Sequence, residues 1–220
     1  AKDLGVSIPI AGHLISAYAF GVVVGAPILV ALSSKFPPKN ILIVYMILFT
    51  LFNALSIIAP DYNTLLMSRF LAGLPHGAFF GVGTIVAIKL SKKGKEAQAV
   101  SSMFTGLTLA ILLLVPFLTY IGHNTSYKWA FLIVSLLGIF TILALIKFMP
   151  KLKSLKTVTF KEEIEFFLTF KAWHIILIVA IGFGGLFAWF SYIAPLLINV
   201  SKFPPSSISY LMLVAGVGMV

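Results

Sequence analysis

Residues 68–81 of this chain read SRFLAGLPHGAFFG and lie inside a longer apolar run. Arg69 is the only arginine of the chain. A charged side chain at the bilayer centre costs roughly 2.5–3.5 kcal/mol on insertion scales, so it normally faces a protein interior or a wet cavity. Glycine recurs every fourth residue, at Gly73, Gly77 and Gly81, which lets the backbone of another helix approach closely. The stretch therefore predicts a membrane-spanning helix packed against other helices.

The whole chain has the composition of a membrane protein. It has 220 residues, of which 60% are hydrophobic and 10% charged, whereas a soluble domain is about 25% charged. Runs of about 20 apolar residues cross the hydrocarbon core as helices and are too long for the strands of a membrane barrel. The apolar runs predict seven helices, over residues 11–33, 40–59, 64–88, 98–121, 129–149, 172–199 and 206–220. The predicted fold class is an all-α polytopic membrane protein with about seven transmembrane helices, and a soluble enzyme is excluded.

The lysines predict the orientation of these helices. Alternate loops carry twelve lysines on one side of the membrane and three on the other. The positive-inside bias places the twelve-lysine side in the cytoplasm and the N-terminus outside. Because the same lysines account for the net charge of +10, we expect anionic lipid head groups and no nucleic acid as their partners.

A break in the apolar pattern divides the chain. Residues 150–171 are rich in lysine, and Thr159 and Glu162 have the spacing of a capping box. The segment predicts an amphipathic helix on the cytoplasmic surface, with an ordinary solvated helix as the alternative. The expected domains are a first bundle over 1–149, a linker over 150–171 and the start of a second bundle over 172–220.

His76 follows Arg69 by seven residues, which places both side chains on nearly the same helical face, two turns apart. Imidazole titrates near physiological pH, so Arg69 and His76 are candidates for a substrate and proton pathway. The alternatives are that Arg69 reaches the head groups and that His76 is a packing residue. In the first predicted helix, His13, Ser16 and Tyr18 are candidates to line an interface between bundles, although packing is the favoured interpretation.

The sequence contains no catalytic or metal-binding pattern. The six acids all lie in loops or at helix ends, the four histidines lack metal-ligand spacing, and there is no cysteine. We therefore expect neither an enzyme nor a metal or organic cofactor. A seven-helix receptor and a membrane-embedded transferase remain alternatives, but the spans hold neither the lysine of a retinal protein nor a cluster of acids or histidines. A non-transporting fragment is a further alternative.

Three stretches resemble the major facilitator superfamily, in its drug- and sugar-efflux branch. The pattern Arg-x-x-x-Gly-x-x-x-Gly begins at Arg69, and residues 74–83 and 183–195 are similar to bacterial arabinose-efflux and chloramphenicol-efflux permeases. The resemblance covers nearly the whole chain. It implies that the chain runs from the second to the eighth helix of the family, so that a first helix and most of a second bundle are missing.

The resemblance also implies a function. We expect a secondary transporter of the bacterial inner membrane that exports a sugar or drug-like molecule by alternating access, as a proton antiporter and as a monomer. In this family the fourth and seventh helices border the central cavity. The corresponding aromatic residues here are candidates for substrate contact, with lipid-facing side chains as the alternative: Phe183, Phe187, Phe190 and Tyr192.

Two departures from the family pattern concern gating. Ser34 stands where the family has an acid between the first two helices present here. In the predicted helix over 98–121, the antiporter pattern is reduced to Gly106 and Pro116. The residues expected to serve helix packing and gating are Gly73, Gly77, Gly81 and Pro116.

Overall fold

The computed structural model describes residues 4–154, 161, 165 and 168–217, without the side chains of His123, Phe190, Gly216 and Val217. The chain divides into two compact units, one of Ala1–Gly106 with Ile121–Phe160 and one of Leu107–Tyr120 with Lys161–Val220. In chain order the helices are α1 (Ile8–Ser33), α2 (Pro38–Ile58), α3 (Tyr62–Leu90), α4 (Glu96–Leu109), a π-helical turn (Ala110–Leu114), α5 (Val115–Asn124), α6 (Tyr127–Phe148), α7 (Phe170–Asn199), a 3₁₀ turn (Pro205–Ser207) and α8 (Ile208–Val217).

The predicted fold class is confirmed. Six helical segments in the described residues are long and apolar enough to cross a membrane, α4 through α5 counting as one segment, and a shorter apolar helix follows over Pro205–Ala215. Helices α1, α3, α6 and α7 begin where a polar side chain accepts a backbone N–H group that has no partner within the helix, as Asp61 does for Thr64 at the start of α3. The run lengths in the sequence therefore predicted each span to within a few residues.

One prediction falls partly outside the described residues. Half of the predicted amphipathic segment lies there, in residues 155–160, 162–164 and 166–167. The predicted domain boundaries at 149 and 172 also stay predictions.

Close contact between α1 and α3 organises the first unit. A Cβ atom at Gly21 of α1 would collide with the carbonyl oxygen of Phe70, and one at Gly73 of α3 would collide with the carbonyl oxygen of Tyr18. Only glycine lets the two backbones approach this closely. Gly77 faces α1 in the same way, since a Cβ there would lie 2.9 Å from the Cβ of Ala26.

Gly81 departs from the predicted glycine pattern. Apart from its chain neighbours and the adjacent backbone of its own helix, no atom of the described residues lies within 4 Å of the position that a Cβ at Gly81 would take. The α1–α3 contact therefore includes Gly73 and Gly77 and ends before Gly81.

Helix α2 packs between α3 and α6 in the first unit. Its apolar side chains form a core with α3, made of Ile41, Leu42, Tyr45, Ala78, Val82 and Val86. At one end, the Nζ atom of Lys39 donates hydrogen bonds to the carbonyl oxygens of Ile146 and Met149, each at 2.7 Å. A cation at these carbonyls compensates the negative end of the α6 dipole. Lys39 thus joins the start of α2 to the end of α6.

The second unit has a smaller core, formed by Ile193 of α7 with Ile208 and Met212 of α8. Pro116 is buried in this unit. Because proline has no N–H, the carbonyl of Leu112 loses its partner four residues ahead. The backbone widens there into the π-helical turn, which ends with a hydrogen bond from the Val115 N–H to the Ala110 carbonyl. A gating role for Pro116 remains a prediction.

Candidate functional site

Arg69 is held by side chains from three other helices. Its Nη1 donates a hydrogen bond of 3.0 Å to Oδ1 of Asn53 on α2. Its guanidinium carbon lies 4.4 Å from the ring centroid of Tyr18 on α1 and 5.2 Å from that of Phe131 on α6. Asn53 is 2% exposed, and its Nδ2 donates to the carbonyl of Phe49 at 2.8 Å, which directs Oδ1 toward Arg69. The side chain is therefore engaged inside the first unit.

These contacts account for a charged residue within a span. A hydrogen bond to a charged group contributes about 1.5–3 kcal/mol, and a desolvated cation–π contact about 2 kcal/mol. Together they are at least as large as the insertion cost of roughly 2.5–3.5 kcal/mol. Arg69 is thus accommodated without a carboxylate, since none of the described residues forms an ion pair with it.

His76 contacts Tyr18, the same tyrosine that contacts Arg69. Its Nδ1 lies 2.6 Å from the hydroxyl oxygen of Tyr18. When the imidazole is neutral with its proton on Nε2, Tyr18 donates to Nδ1; when it is protonated, Nδ1–H donates to the tyrosine oxygen. Tyr18 therefore presents its ring face to Arg69 and its hydroxyl to His76, so that one side chain connects the two candidates.

A row of aromatic rings continues from His76. The Phe80 ring lies 5.0 Å from the imidazole, centroid to centroid, and stacks on the Phe104 ring of α4 at 5.8 Å. On the other side, the Tyr18 ring meets the imidazole edge to face at 5.5 Å. The site therefore combines one fixed cation and one titratable group with an apolar aromatic wall.

The remaining predicted contact residues lie on α7, in the second unit. The rings of Phe183 and Phe187 stack with centroids 6.4 Å apart, and both side chains are more than half exposed, as is Tyr192. The Phe190 side chain lies outside the described residues. Their role in substrate contact remains a prediction.

Sequence reasoning missed two residues that hold Arg69. Asn53 carried a signal, because it is an amide in the middle of the apolar run over 40–59, and polar groups inside spans seek partners. Phe131 carried no such signal, because nothing in the sequence distinguishes it from the other phenylalanines among the twenty in the chain. Tyr18 was recognised only as a candidate interface or packing residue. Its contacts with Arg69 and His76 depend on how α1 packs against α3, which the sequence does not show.

Long apolar helices joined by close glycine contacts, with a cation and an imidazole enclosed between them, define a polytopic membrane protein. The sequence model of the Major Facilitator Superfamily matches residues 1–220. The chain belongs to the major facilitator superfamily.

Named relatives agree with this assignment. The chain is 38% identical over 220 residues to the putative transporter AraJ of Escherichia coli, covering 100% of this chain and 56% of the relative. It is 40% identical over 218 residues to the inner membrane transport protein YdhP of Escherichia coli, covering 99% and 56%. It is 29% identical over 218 residues to a probable sugar efflux transporter of Helicobacter pylori, covering 98% and 55%.

The chain thus spans about half the length of the curated relatives that it matches. Its membrane-spanning helices and its similarity to an inner membrane transport protein make it a multi-pass protein of the bacterial inner membrane.

Proposed function

We propose that this protein is a monomeric secondary transporter that exports a small molecule, a sugar or a drug-like compound, in exchange for protons. The observation that carries the proposal is the connection of Arg69 to His76 through Tyr18 inside a membrane span. Membership of a transporter family and a relative named as a sugar efflux transporter support export. Substrate binds near the midplane, between two bundles that expose it alternately to each side.

His76 carries the coupled proton in this mechanism. Its protonation puts a second positive charge close to Arg69, with only the Tyr18 side chain between the two cations. Like charges repel strongly where the effective dielectric constant is low. Proton uptake at His76 also turns Nδ1–H into the donor to Tyr18 of α1, so it changes the contact between α1 and α3, where we place the start of the motion that alternating access requires.

The aromatic side chains supply the contacts for an amphipathic substrate. Phe183, Phe187, Phe190 and Tyr192 are the proposed contacts on α7. Within the first unit, Phe80 and Phe104 form the aromatic wall beside His76. Ring faces bind sugars and drug-like molecules through their apolar surfaces, while a few polar groups fix the orientation.

The test uses the complete gene product in inverted vesicles with an imposed pH gradient, and the probes are radiolabelled arabinose and a fluorescent amphipathic dye. We expect gradient-driven uptake of one probe, abolished by a protonophore. His76→Gln should retain probe binding and lose gradient-driven uptake. Arg69→Lys keeps the charge but loses the planar fork of donors, and it should also impair uptake.

The matched control is His174→Gln, which changes an exposed histidine near the start of α7 and should transport normally. Wild-type pH-driven uptake by His76→Gln would contradict the proton role and leave His76 as a packing residue. Uptake of neither probe by the wild-type protein would contradict the proposed substrate class.

A further inference from the structure

An apolar groove runs between α1 and α2 in the first unit, close to the ends of these helices that carry Lys35 and Lys39. Its volume is about 310 Å³. Three of its lining side chains are more than half exposed, with exposed fractions of 69% for Leu32, 58% for Phe36 and 51% for Val44. The groove therefore opens sideways between two membrane-spanning helices.

The two hydroxyl groups in the lining are already bonded to the protein. Tyr45 donates to the carbonyl oxygen of Leu29 at 2.7 Å, and its own oxygen lies 2.5 Å from Oγ of Ser33. Ser33 also lies within hydrogen-bond distance, 3.3 Å, of the carbonyl of Val30. Because these hydroxyl groups already form hydrogen bonds within the protein, the lining of the groove favours an apolar ligand over a polar one.

One exposed lysine lies in the chain next to residues that line the groove. Lys35 lies between Ser33 and Phe36 in the chain, both of which line the groove, and its side chain is exposed. Lys39, by contrast, is engaged with the carbonyls at the end of α6. A ligand with an apolar tail in the groove would thus meet the cation of Lys35 at the membrane surface.

We propose that the groove binds one acyl chain of an anionic phospholipid and that Lys35 binds its phosphate. The volume accommodates roughly ten groups of about 30 Å³ each, the size of a water molecule or a methylene. That is a large part of one acyl chain. An ammonium group near the membrane surface attracts anionic lipids specifically, which gives the site its preference for head-group charge. The site is separate from the proton and substrate pathway proposed above.

The test places the complete gene product in nanodiscs with phosphatidylglycerol or phosphatidylcholine carrying the same diazirine-bearing acyl chain. After photolysis, mass spectrometry locates the adducts. We expect adducts on the lining residues of α1 and α2, about fivefold more abundant with phosphatidylglycerol, the preference that one lysine near the surface confers. Lys35→Gln should remove that excess, and Val44→Trp, which fills the groove, should remove the adducts with both lipids.

Lys93→Gln is the matched control, since Lys93 is an exposed lysine of the loop after α3, and it should keep the excess. Equal labelling by both lipids, or an unchanged excess in Lys35→Gln, would overturn the anionic head-group contact. Absence of adducts from the lining would overturn the proposal altogether, because it would show that no acyl chain occupies the groove. None of these results depends on transport, so the two proposals fail independently.

Discussion

The hydroxyl oxygen of Tyr18 lies 2.6 Å from Nδ1 of His76, although the two residues are 58 positions apart in the chain. The ring of the same tyrosine faces the guanidinium of Arg69 at 4.4 Å. The close approach of α1 to α3 makes this arrangement possible, because Gly73 lies directly against the backbone of Tyr18. The tyrosine is therefore placed by glycine packing and connects the two polar groups of the span.

Two substitutions of Tyr18 distinguish the contributions of its contacts with Arg69 and His76. Tyr18→Phe keeps the ring over Arg69 but removes the hydrogen bond to His76, so we expect near-normal thermal stability with a changed ¹⁵N resonance of His76 Nδ1. Tyr18→Leu also loses the cation–π contact and should lower the free energy of unfolding by about 1–2 kcal/mol. Thermal unfolding in detergent and imidazole NMR measure the two effects. An unchanged His76 spectrum in Tyr18→Phe would mean that the hydrogen bond does not form in the membrane.

Asn53→Leu should destabilise the protein by about 1.5–3 kcal/mol, because it leaves Arg69 without its oxygen acceptor inside the span. Asn53→Asp restores an acceptor and should recover most of the loss. Thr141→Val is the matched control, since the half-buried Thr141 hydroxyl donates to the Leu137 carbonyl of its own helix. If Asn53→Leu unfolds at the same temperature as this control, the Arg69–Asn53 bond contributes no stability.

Two glycines of α3 should respond oppositely to alanine. Gly73→Ala forces a methyl group against the Tyr18 backbone and should cost about 1–3 kcal/mol or more, since the neighbouring atoms are main-chain atoms that cannot rotate away. Gly81→Ala meets open space and should be neutral, or stabilising by up to about 1 kcal/mol through helix propensity. The thermal midpoints of the two variants decide this, and equal destabilisation by both would contradict the observed α1–α3 contact.

The predicted orientation is tested by labelling with a membrane-impermeant thiol reagent in intact cells, which the absence of cysteine from the chain makes simple. Asn124→Cys, at the exposed last residue of α5, should react because the lysine asymmetry places it outside. Lys93→Cys should react only after the cells are broken. Reaction of Lys93→Cys in unbroken cells would reverse the orientation.

Asp61 should contribute to stability in a pH-dependent way. The backbone N–H of Thr64 donates to its carboxylate at 2.8 Å, and this hydrogen bond lowers the pKa of Asp61 below its ordinary value of 3.8. A lowered folded-state pKa gives stabilisation that is present above the ordinary pKa and is lost as the pH falls through the lower value. Asp61→Ala should thus lower the thermal midpoint at neutral pH, and the difference from wild type should shrink in acid. A difference that stays constant down to acid pH would contradict this.

The predicted helices were confirmed because their signal is local. Each depended on the length of an apolar run and on the residues at its ends, and the spans of α1 to α3 begin and end within a few residues of the prediction.

The pairing of Arg69 with His76 was predicted only from their position on one face of a helix. The structure adds that the two side chains are connected through a third, because Tyr18 of α1 contacts both of them.

The amino-acid sequence by itself determined that this chain crosses a membrane several times as helices, and it singled out Arg69 as the charge to be explained. Those conclusions follow from the thickness of the hydrocarbon core and the cost of charge within it, which act on any chain regardless of its tertiary structure. Only the tertiary structure decided that Asn53, Tyr18 and Phe131 hold Arg69 and that Gly81 stays out of the α1–α3 contact. These contacts depend on which faces of separate helices pack together. The sequence does not indicate those faces, because helices that are uniformly apolar have no periodic pattern of polar and apolar residues.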